Sequence, residues 1–144
     1  MVQIIVSGTG EGKTKQLIEM ANNDVKVIDG SVIFIDDDKR HIYDLSHKIR
    51  FVEVTEFPLA NYRELIGFIY GILSQNSDIQ KIYIDGIFSI IEKLNNEDLI
   101  KLVVKLKNMG DKYGIDFIAS ANKYPNEMPK EISDVIVPLV NGDC

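Results

Sequence analysis

The sequence predicts an α/β protein in which a mainly parallel sheet is covered by helices on both faces, a three-layer α/β/α sandwich. Two observations lead to this prediction. Short runs rich in β-branched residues recur along the 144 residues and are separated by longer stretches with helical spacing, as in βα units. Most of these runs are apolar almost continuously instead of alternating, which is typical of parallel strands buried on both faces.

Five strands and a candidate sixth are predicted from these runs. They are Val2–Val6, Val32–Ile35, Phe51–Thr55, Lys81–Ile84 and Asp116–Ser120, with Asp134–Leu139 as the candidate sixth. The segment Val25–Ile28 fits either a short strand or a connection. The order of strands and helices along the chain is that of successive βα units, so the strands are expected to run parallel.

Three helices are predicted between the strands. The first follows Gly12 and ends near Asn22–Asn23, where short polar side chains favour a stop. The second follows Asn61, which begins a capping-box pattern. The third is capped by Asn95 or Asn96. Its inward face is predicted to consist of Leu99, Leu102, Val103 and Leu106.

Length and composition predict one globular domain over residues 1–144. The hydrophobic fraction of 45% and the charged fraction of 26% disfavour a disordered tail, a collagen-like rod and a disulfide-stapled miniprotein. A net charge of −6 disfavours binding to nucleic acid and to anionic membranes. Cys144 is the single cysteine, which fits a reducing, cytoplasmic location, and the sequence shows no export signal or apolar run long enough to cross a bilayer.

The most informative segment is the glycine-rich stretch between the first strand and the first helix, residues 7–14, SGTGEGKT. Glycines let successive backbone N–H groups point at one anion, and a helix N-terminus adds about half a positive charge there. Lys13 is expected to reach the β- and γ-phosphates of a triphosphate, and the Thr14 hydroxyl to occupy a Mg²⁺ coordination position. The residues expected to bind the nucleotide are Gly8, Thr9, Gly10, Glu11, Gly12, Lys13, Thr14 and Lys15.

This stretch resembles the Walker A motif of P-loop nucleoside triphosphatases, and it lies between a strand and a helix as that motif requires. One position differs, because Ser7 stands where the motif has glycine. The following Gly8 can absorb the turn. The alternative is an ordinary glycine-rich connection in an α/β protein.

The run that ends in Asp85 resembles a Walker B motif. Such an aspartate holds the water shell of the bound metal. We therefore expect Asp85 to end a buried strand next to the strand of the glycine-rich loop. The alternative is an aspartate that only begins a turn before Gly86.

The order of these motifs resembles the RecA-like ATPase core over most of the chain. The resemblance implies that Asp38, at the end of the second strand, activates water and that Asn122, at the end of the fifth, senses the γ-phosphate. Two alternatives stay open: Asp38 could belong to a solvated acidic turn, and Asn122 could satisfy backbone groups at the start of a loop. Gly86 follows Asp85 where many hydrolysing ATPases have a glutamate.

ATP is favoured over GTP. Asn122-Lys123-Tyr124-Pro125 begins like the Asn-Lys-x-Asp element that reads guanine, but Pro125 replaces the aspartate. The resemblance thus implies a Mg-ATP-binding protein with slow or partner-stimulated hydrolysis. The alternatives are a nucleotide-dependent switch or assembly module that does not hydrolyse ATP, a nucleoside-type kinase, and a scaffold that binds no nucleotide.

Partners are less well defined by the sequence. Residues 39–50 form the one locally basic stretch, which is interpreted as a solvated segment that balances nearby aspartates and not as a nucleic-acid site. A protein partner or self-association stays open. Three residues, Arg40, Arg50 and Arg63, are the candidates for an arginine that stabilises phosphoryl-transfer charge, and the sequence does not select among them.

Overall fold

The protein is described by a computed structural model over residues 1–10 and 12–139, and its centre is a sheet of six parallel strands. They are β1 (Val2–Ser7), β2 (Ser31–Asp36), β3 (Arg50–Glu53), β4 (Ile79–Ile84), β5 (Asp116–Asn122) and β6 (Ile136–Pro138). Their order across the sheet is β3-β2-β4-β5-β1-β6. All five pairings are parallel, as the sequence predicts.

The helices lie in the connections between the strands. They are α1 (Lys13–Val27), α2 (Tyr62–Gln75), α3 (Ile87–Ile90) and α4 (Asn96–Tyr113). Short 3₁₀ turns occur at Ile42–Asp44, Pro125–Glu127 and Lys130–Val135. Within the described residues, these helices are all too short or too polar to cross a bilayer.

Two apolar clusters lie on opposite faces of the sheet and make the three layers. Leu65 of α2 and Leu102 of α4 are buried in the same cluster as Ile4 of β1. Leu17 of α1 is buried in the other cluster with Ile5. Successive residues of a strand point to opposite faces of the sheet. Because both faces are covered, β1 is apolar at Ile4 and also at Ile5. The predicted α/β/α sandwich is confirmed.

The caps and the inward face of the last long helix agree with the sequence. Asn61 Oδ1 accepts a 3.0 Å hydrogen bond from the backbone N–H of Glu64 at the start of α2. Asn95 Oδ1 accepts a 2.8 Å bond from the N–H of Asp98, so Asn95 and not Asn96 caps α4. The four residues predicted to face inward from α4 are all buried.

The predicted end of the first helix near Asn22 is wrong. The helix continues to Val27, so the ambiguous segment Val25–Ile28 forms its last turn and its C-cap. Asn22 does not turn its amide onto its own backbone. Its Nδ2 donates to the carbonyl of Asp44 at 2.9 Å, and its Oδ1 accepts from the N–H of Ser46 at 2.8 Å. The Asn22 side-chain amide is therefore occupied by a tertiary contact and does not compete for the helix backbone, so the helix continues past it.

Some strand ends also differ from the prediction. The third strand ends at Glu53 and not at Thr55. The sixth is reduced to β6 because the residues before it form a 3₁₀ turn over Lys130–Val135. The short helix α3 is not predicted by the sequence.

One difference in strand order affects the site. The expectation that the strand before Asp85 neighbours the strand of the glycine-rich loop is wrong, because β5 lies between β4 and β1. Ala119 of β5 pairs with Ile4 on one side and with Ile84 on the other. The strand β5 is buried from Phe117 to Ala121. Its central place in the sheet agrees with this burial, because β4 and β1 cover its edges while the helices cover its faces.

Candidate functional site

The carboxyl ends of β1, β2, β4 and β5 open onto one cleft of about 500 Å³. Nine of the predicted site residues line it: Thr9, Gly10, Gly12, Lys13, Thr14, Lys15, Asp38, Asp85 and Asn122. Glu11 lies outside the described residues. The fold thus places the residues expected to bind phosphate, metal and water at the same edge of the sheet, where α/β proteins commonly bind ligands.

The glycine-rich loop leads directly into α1. Gly12 has a φ of 89°, a left-handed conformation that residues with a Cβ rarely adopt, and it is the N-cap of the helix. Among the described residues, no side chain caps the first turn of α1. The start of a helix carries backbone N–H groups and a partial positive charge that suit an anionic ligand.

Lys13 is buried at the base of this loop, with 5% of its surface exposed. Its Nζ donates a 2.7 Å hydrogen bond to the carbonyl of Gly8 and a 3.0 Å bond to Ser7 Oγ. The serine that departs from the Walker A pattern thus supplies an acceptor to the lysine of that pattern. Gly8 is also in close contact with Tyr124, because a Cβ at this position would lie 2.5 Å from the tyrosine oxygen.

A chain of hydrogen bonds joins β4, β5 and α1. Thr14 Oγ1 donates to Asp85 Oδ2 at 2.9 Å. The other carboxylate oxygen of Asp85 accepts from Ser120 Oγ at 2.8 Å, and Ser120 Oγ in turn accepts from the N–H of Gly86 at 2.8 Å. Both carboxylate oxygens are therefore held, and Asp85 is only 7% exposed.

The oxygens at this point fit a magnesium site. Mg²⁺ prefers carboxylate, hydroxyl and water oxygens in an octahedral arrangement. Since the Thr14 hydroxyl gives its hydrogen to Asp85, the lone pairs of its oxygen stay available to a cation. Asp85 would then hold the water shell of the metal while Thr14 binds it directly, which is the division of roles that the sequence predicts.

Three consecutive aspartates form the opposite side of the cleft. The carboxylate oxygens of Asp36, Asp37 and Asp38 lie within 4.8 Å of one another. Asp36 is only 4% exposed. Burial, and after it the nearby carboxylate of Asp85, raises the pKa of Asp36 to about 8.

Asp38 is in a different environment from Asp36, because it is paired with Arg40. Its Oδ1 accepts the backbone N–H of Arg40 at 2.8 Å and its Oδ2 accepts the Nε–H at 3.0 Å. The backbone hydrogen bond is the main reason that the pKa of Asp38 lies below its ordinary value, and the side-chain bond acts in the same direction. A low pKa makes Asp38 a weak proton acceptor.

Asn122 lies at the last position of β5, where it pairs in register with Ser7 of β1. This pairing places it beside the start of the glycine-rich loop and at the edge of the cleft. Its role as a γ-phosphate sensor stays a prediction.

The sequence-based search named Arg40 only as one of three candidate arginines. It did not assign six other cleft residues: Asp36, Asp37, His41, Gly86, Ser89 and Ser120. Ser120 could have been found, because it is the one polar residue within a run of apolar side chains that includes Phe117 and Ala121. Asp36 ends the apolar run of β2 in the same way. No local signal distinguishes the others.

Comparison with known proteins supports the fold. No protein-family model matches the chain, and no curated protein matches it in sequence. Among solved structures, the chain is similar to a KaiC-like protein of the hyperthermophilic archaeon Pyrococcus horikoshii, with a TM-score of 0.65 and 17% sequence identity over 99% of this chain and 73% of that one. This similarity and the parallel sheet together identify the fold as α/β of the RecA-like type.

Proposed function

We propose that residues 1–144 form one nucleotide-binding domain that binds Mg-ATP and hydrolyses it slowly or under stimulation by a partner. The observation that carries this proposal is the 2.9 Å hydrogen bond from the Thr14 hydroxyl to Asp85. It brings together the two residues expected to hold Mg²⁺, in the cleft that also contains Lys13. A nucleoside triphosphate is the ligand that uses a lysine, a magnesium site and a loop of backbone N–H donors together.

Each group has a role in this proposal. When bound, Mg²⁺ neutralises charge on the β- and γ-phosphate oxygens. When the nucleotide binds, the ammonium group of Lys13 leaves its hydrogen bonds to Ser7 and Gly8 and donates to the β- and γ-phosphates instead. The first N–H groups of α1 bind phosphate oxygens, and the amide of Asn122 contacts the γ-phosphate from the end of β5.

A slow rate of hydrolysis is proposed because the site offers no strong base at the expected positions. Gly86 follows Asp85, so the usual glutamate is absent there. Asp38 has a lowered pKa, and both of its carboxylate oxygens accept hydrogen bonds from Arg40. The same observations favour the second candidate function, a nucleotide-dependent switch that does not hydrolyse ATP.

Calorimetric titration tests the binding proposal. The protein is titrated with a slowly hydrolysed ATP analogue and Mg²⁺, and in parallel with the matching GTP analogue. We expect binding that prefers the adenine analogue and is lost in Lys13→Ala. Lys26→Ala is the matched control, since Lys26 is an exposed lysine in the last turn of the same helix. Absence of binding at millimolar ligand would contradict the proposal.

Phosphate release separates the two candidate functions. Turnover by the wild-type protein that disappears in Lys13→Ala supports an ATPase. Tight binding of the analogue without release of phosphate from ATP supports the switch.

A further inference from the structure

We infer that Arg40 contacts the γ-phosphate from within the same chain, so that it distinguishes a bound triphosphate from a diphosphate, and that Asp38 positions it. This inference rests on the proposed function. The first support is location, because Arg40 is the one arginine among the cleft residues in the described part of the chain. It lies next to the aspartates at the end of β2, across the cleft from the glycine-rich loop.

The other two arginines are in different places. Arg50 begins β3, at the amino end of a parallel sheet whose carboxyl ends form the cleft, and its Nη1 donates to Asn76. Arg63 is in the first turn of α2, where its guanidinium lies 5.8 Å from the centre of the Tyr62 ring. Neither of them lines the cleft.

Charge in the cleft gives the second support. Besides the buried Asp36, three aspartates line it: Asp37 and Asp38 of the aspartate run and, beyond the run, Asp85. Asp36 is left out of this charge because its pKa is raised to about 8. A triphosphate held between these groups would be repelled from the side of the aspartate run. Lys13 and Lys15 are on the side of the glycine-rich loop, so the guanidinium of Arg40 is the permanent cation that can oppose this repulsion from the other side.

The pairing with Asp38 gives the third support. Asp38 accepts the backbone N–H and the Nε–H of Arg40, which leaves the two terminal nitrogens of the guanidinium for another acceptor. The pair is exposed, with 79% of the Arg40 side chain and 36% of the Asp38 side chain accessible. An exposed ion pair contributes little to stability, so the guanidinium can adjust to a phosphate at small cost. Planar N–H donors match phosphate oxygens well.

The test compares binding of a slowly hydrolysed ATP analogue with binding of ADP, both with Mg²⁺, by calorimetry. In Arg40→Ala we expect the affinity for the triphosphate to fall about tenfold or more and the affinity for ADP to stay within about twofold. Arg40→Lys keeps the positive charge but not the planar donors. Its affinity for the triphosphate should lie between that of the wild-type protein and that of Arg40→Ala. Arg50→Ala is the matched control and should change neither affinity.

The outcomes separate this inference from the proposed function. If the wild-type protein binds neither nucleotide, both fail. If it binds both and Arg40→Ala weakens them equally or not at all, the role of Arg40 is overturned and the nucleotide site stands.

The role of Asp38 is tested by the same ratio of triphosphate to diphosphate affinity. Asp38→Ala should lower the ratio by a smaller factor than Arg40→Ala. Asp38→Asn keeps an oxygen that can accept the hydrogen bond from the Arg40 backbone N–H. Its ratio of triphosphate to diphosphate affinity should therefore lie between those of Asp38→Ala and the wild-type protein. An unchanged ratio in Asp38→Ala would contradict the positioning role.

Discussion

The Thr14 hydroxyl donates a 2.9 Å hydrogen bond to Asp85 although the strands that lead to these two residues are not neighbours. The strand β5 lies between them and contributes Ser120, whose hydroxyl holds the other oxygen of the aspartate at 2.8 Å. The serine thus fixes the carboxylate in the orientation that reaches Thr14. The candidate metal site therefore depends on three elements that are far apart in the chain.

The first prediction concerns Asp85. Asp85→Asn replaces a carboxylate by a neutral amide, so we expect Mg²⁺-dependent binding of the ATP analogue to weaken about tenfold or more. Binding measured in EDTA should change little, because it does not use the metal. Calorimetry in the two buffers measures this difference. Asp134→Asn removes an exposed carboxylate that pairs with Lys107 and serves as the control. Equal weakening with and without Mg²⁺ would contradict a metal role for Asp85.

The second prediction concerns Ser120, which is 1% exposed. Ser120→Ala removes a donor to Asp85 and an acceptor for the N–H of Gly86, and it leaves buried groups without their partners. We expect the free energy of unfolding to fall by about 1–3 kcal/mol. Urea denaturation measures this change. Ser74→Ala, at an exposed serine, should cost less than about 0.5 kcal/mol. Equal effects of the two substitutions would show that the buried hydroxyl has no special role.

The third prediction is a pH dependence that comes from Asp36. Its ordinary pKa of 3.8 is raised to about 8 in the folded protein, chiefly by burial. Between these values the unfolded chain releases the proton while the folded chain retains it, so the unfolded state binds fewer protons. The free energy of unfolding should therefore fall as the pH rises from about 4 to about 8, and change little from this source above that.

Comparison with Asp36→Asn isolates the effect, because other titrating groups are common to both proteins. Urea denaturation in EDTA without nucleotide, at several pH values from 5 to 9, gives the difference between them. We expect the variant to gain in relative stability as the pH rises. A difference that does not vary with pH would contradict the raised pKa.

The fourth prediction concerns Ser7. Its hydroxyl accepts a hydrogen bond from Lys13 at 3.0 Å, which competes with phosphate for the ammonium group. Ser7→Ala removes this competitor, so we expect the ATP analogue to bind more tightly by up to about tenfold. Calorimetry with the same analogue measures the change. Weaker binding would instead show that the serine hydroxyl supports the loop or contacts the ligand itself.

Local sequence patterns predicted much of the site. The pattern around Gly12, Lys13 and Thr14 predicted a loop that enters a helix, because a glycine with positive φ and the start of an amphipathic helix are features of a few adjacent residues. Asp85 at the end of an apolar run was predicted in the same way. Their nucleotide-binding role stays a prediction.

Patterns of this kind failed where a side chain had a distant partner. Asn22 has the composition of a helix stop, but its amide binds Asp44 and Ser46 and the helix continues. The sequence could not select Arg40 over Arg50 and Arg63, because what separates them is that Arg40 lines the cleft and the other two do not.

The sequence by itself determined the α/β class, the positions of most elements and the motifs at the ends of β1 and β4. These depend on the burial period of strands and helices and on caps, which act over a few residues. Only the tertiary structure decided that β5 separates β4 from β1, that Ser120 holds Asp85, and that Arg40 faces the cleft. Strand order is decided by which edges and faces each strand covers when the whole sheet assembles, and that competition involves contacts between distant parts of the chain.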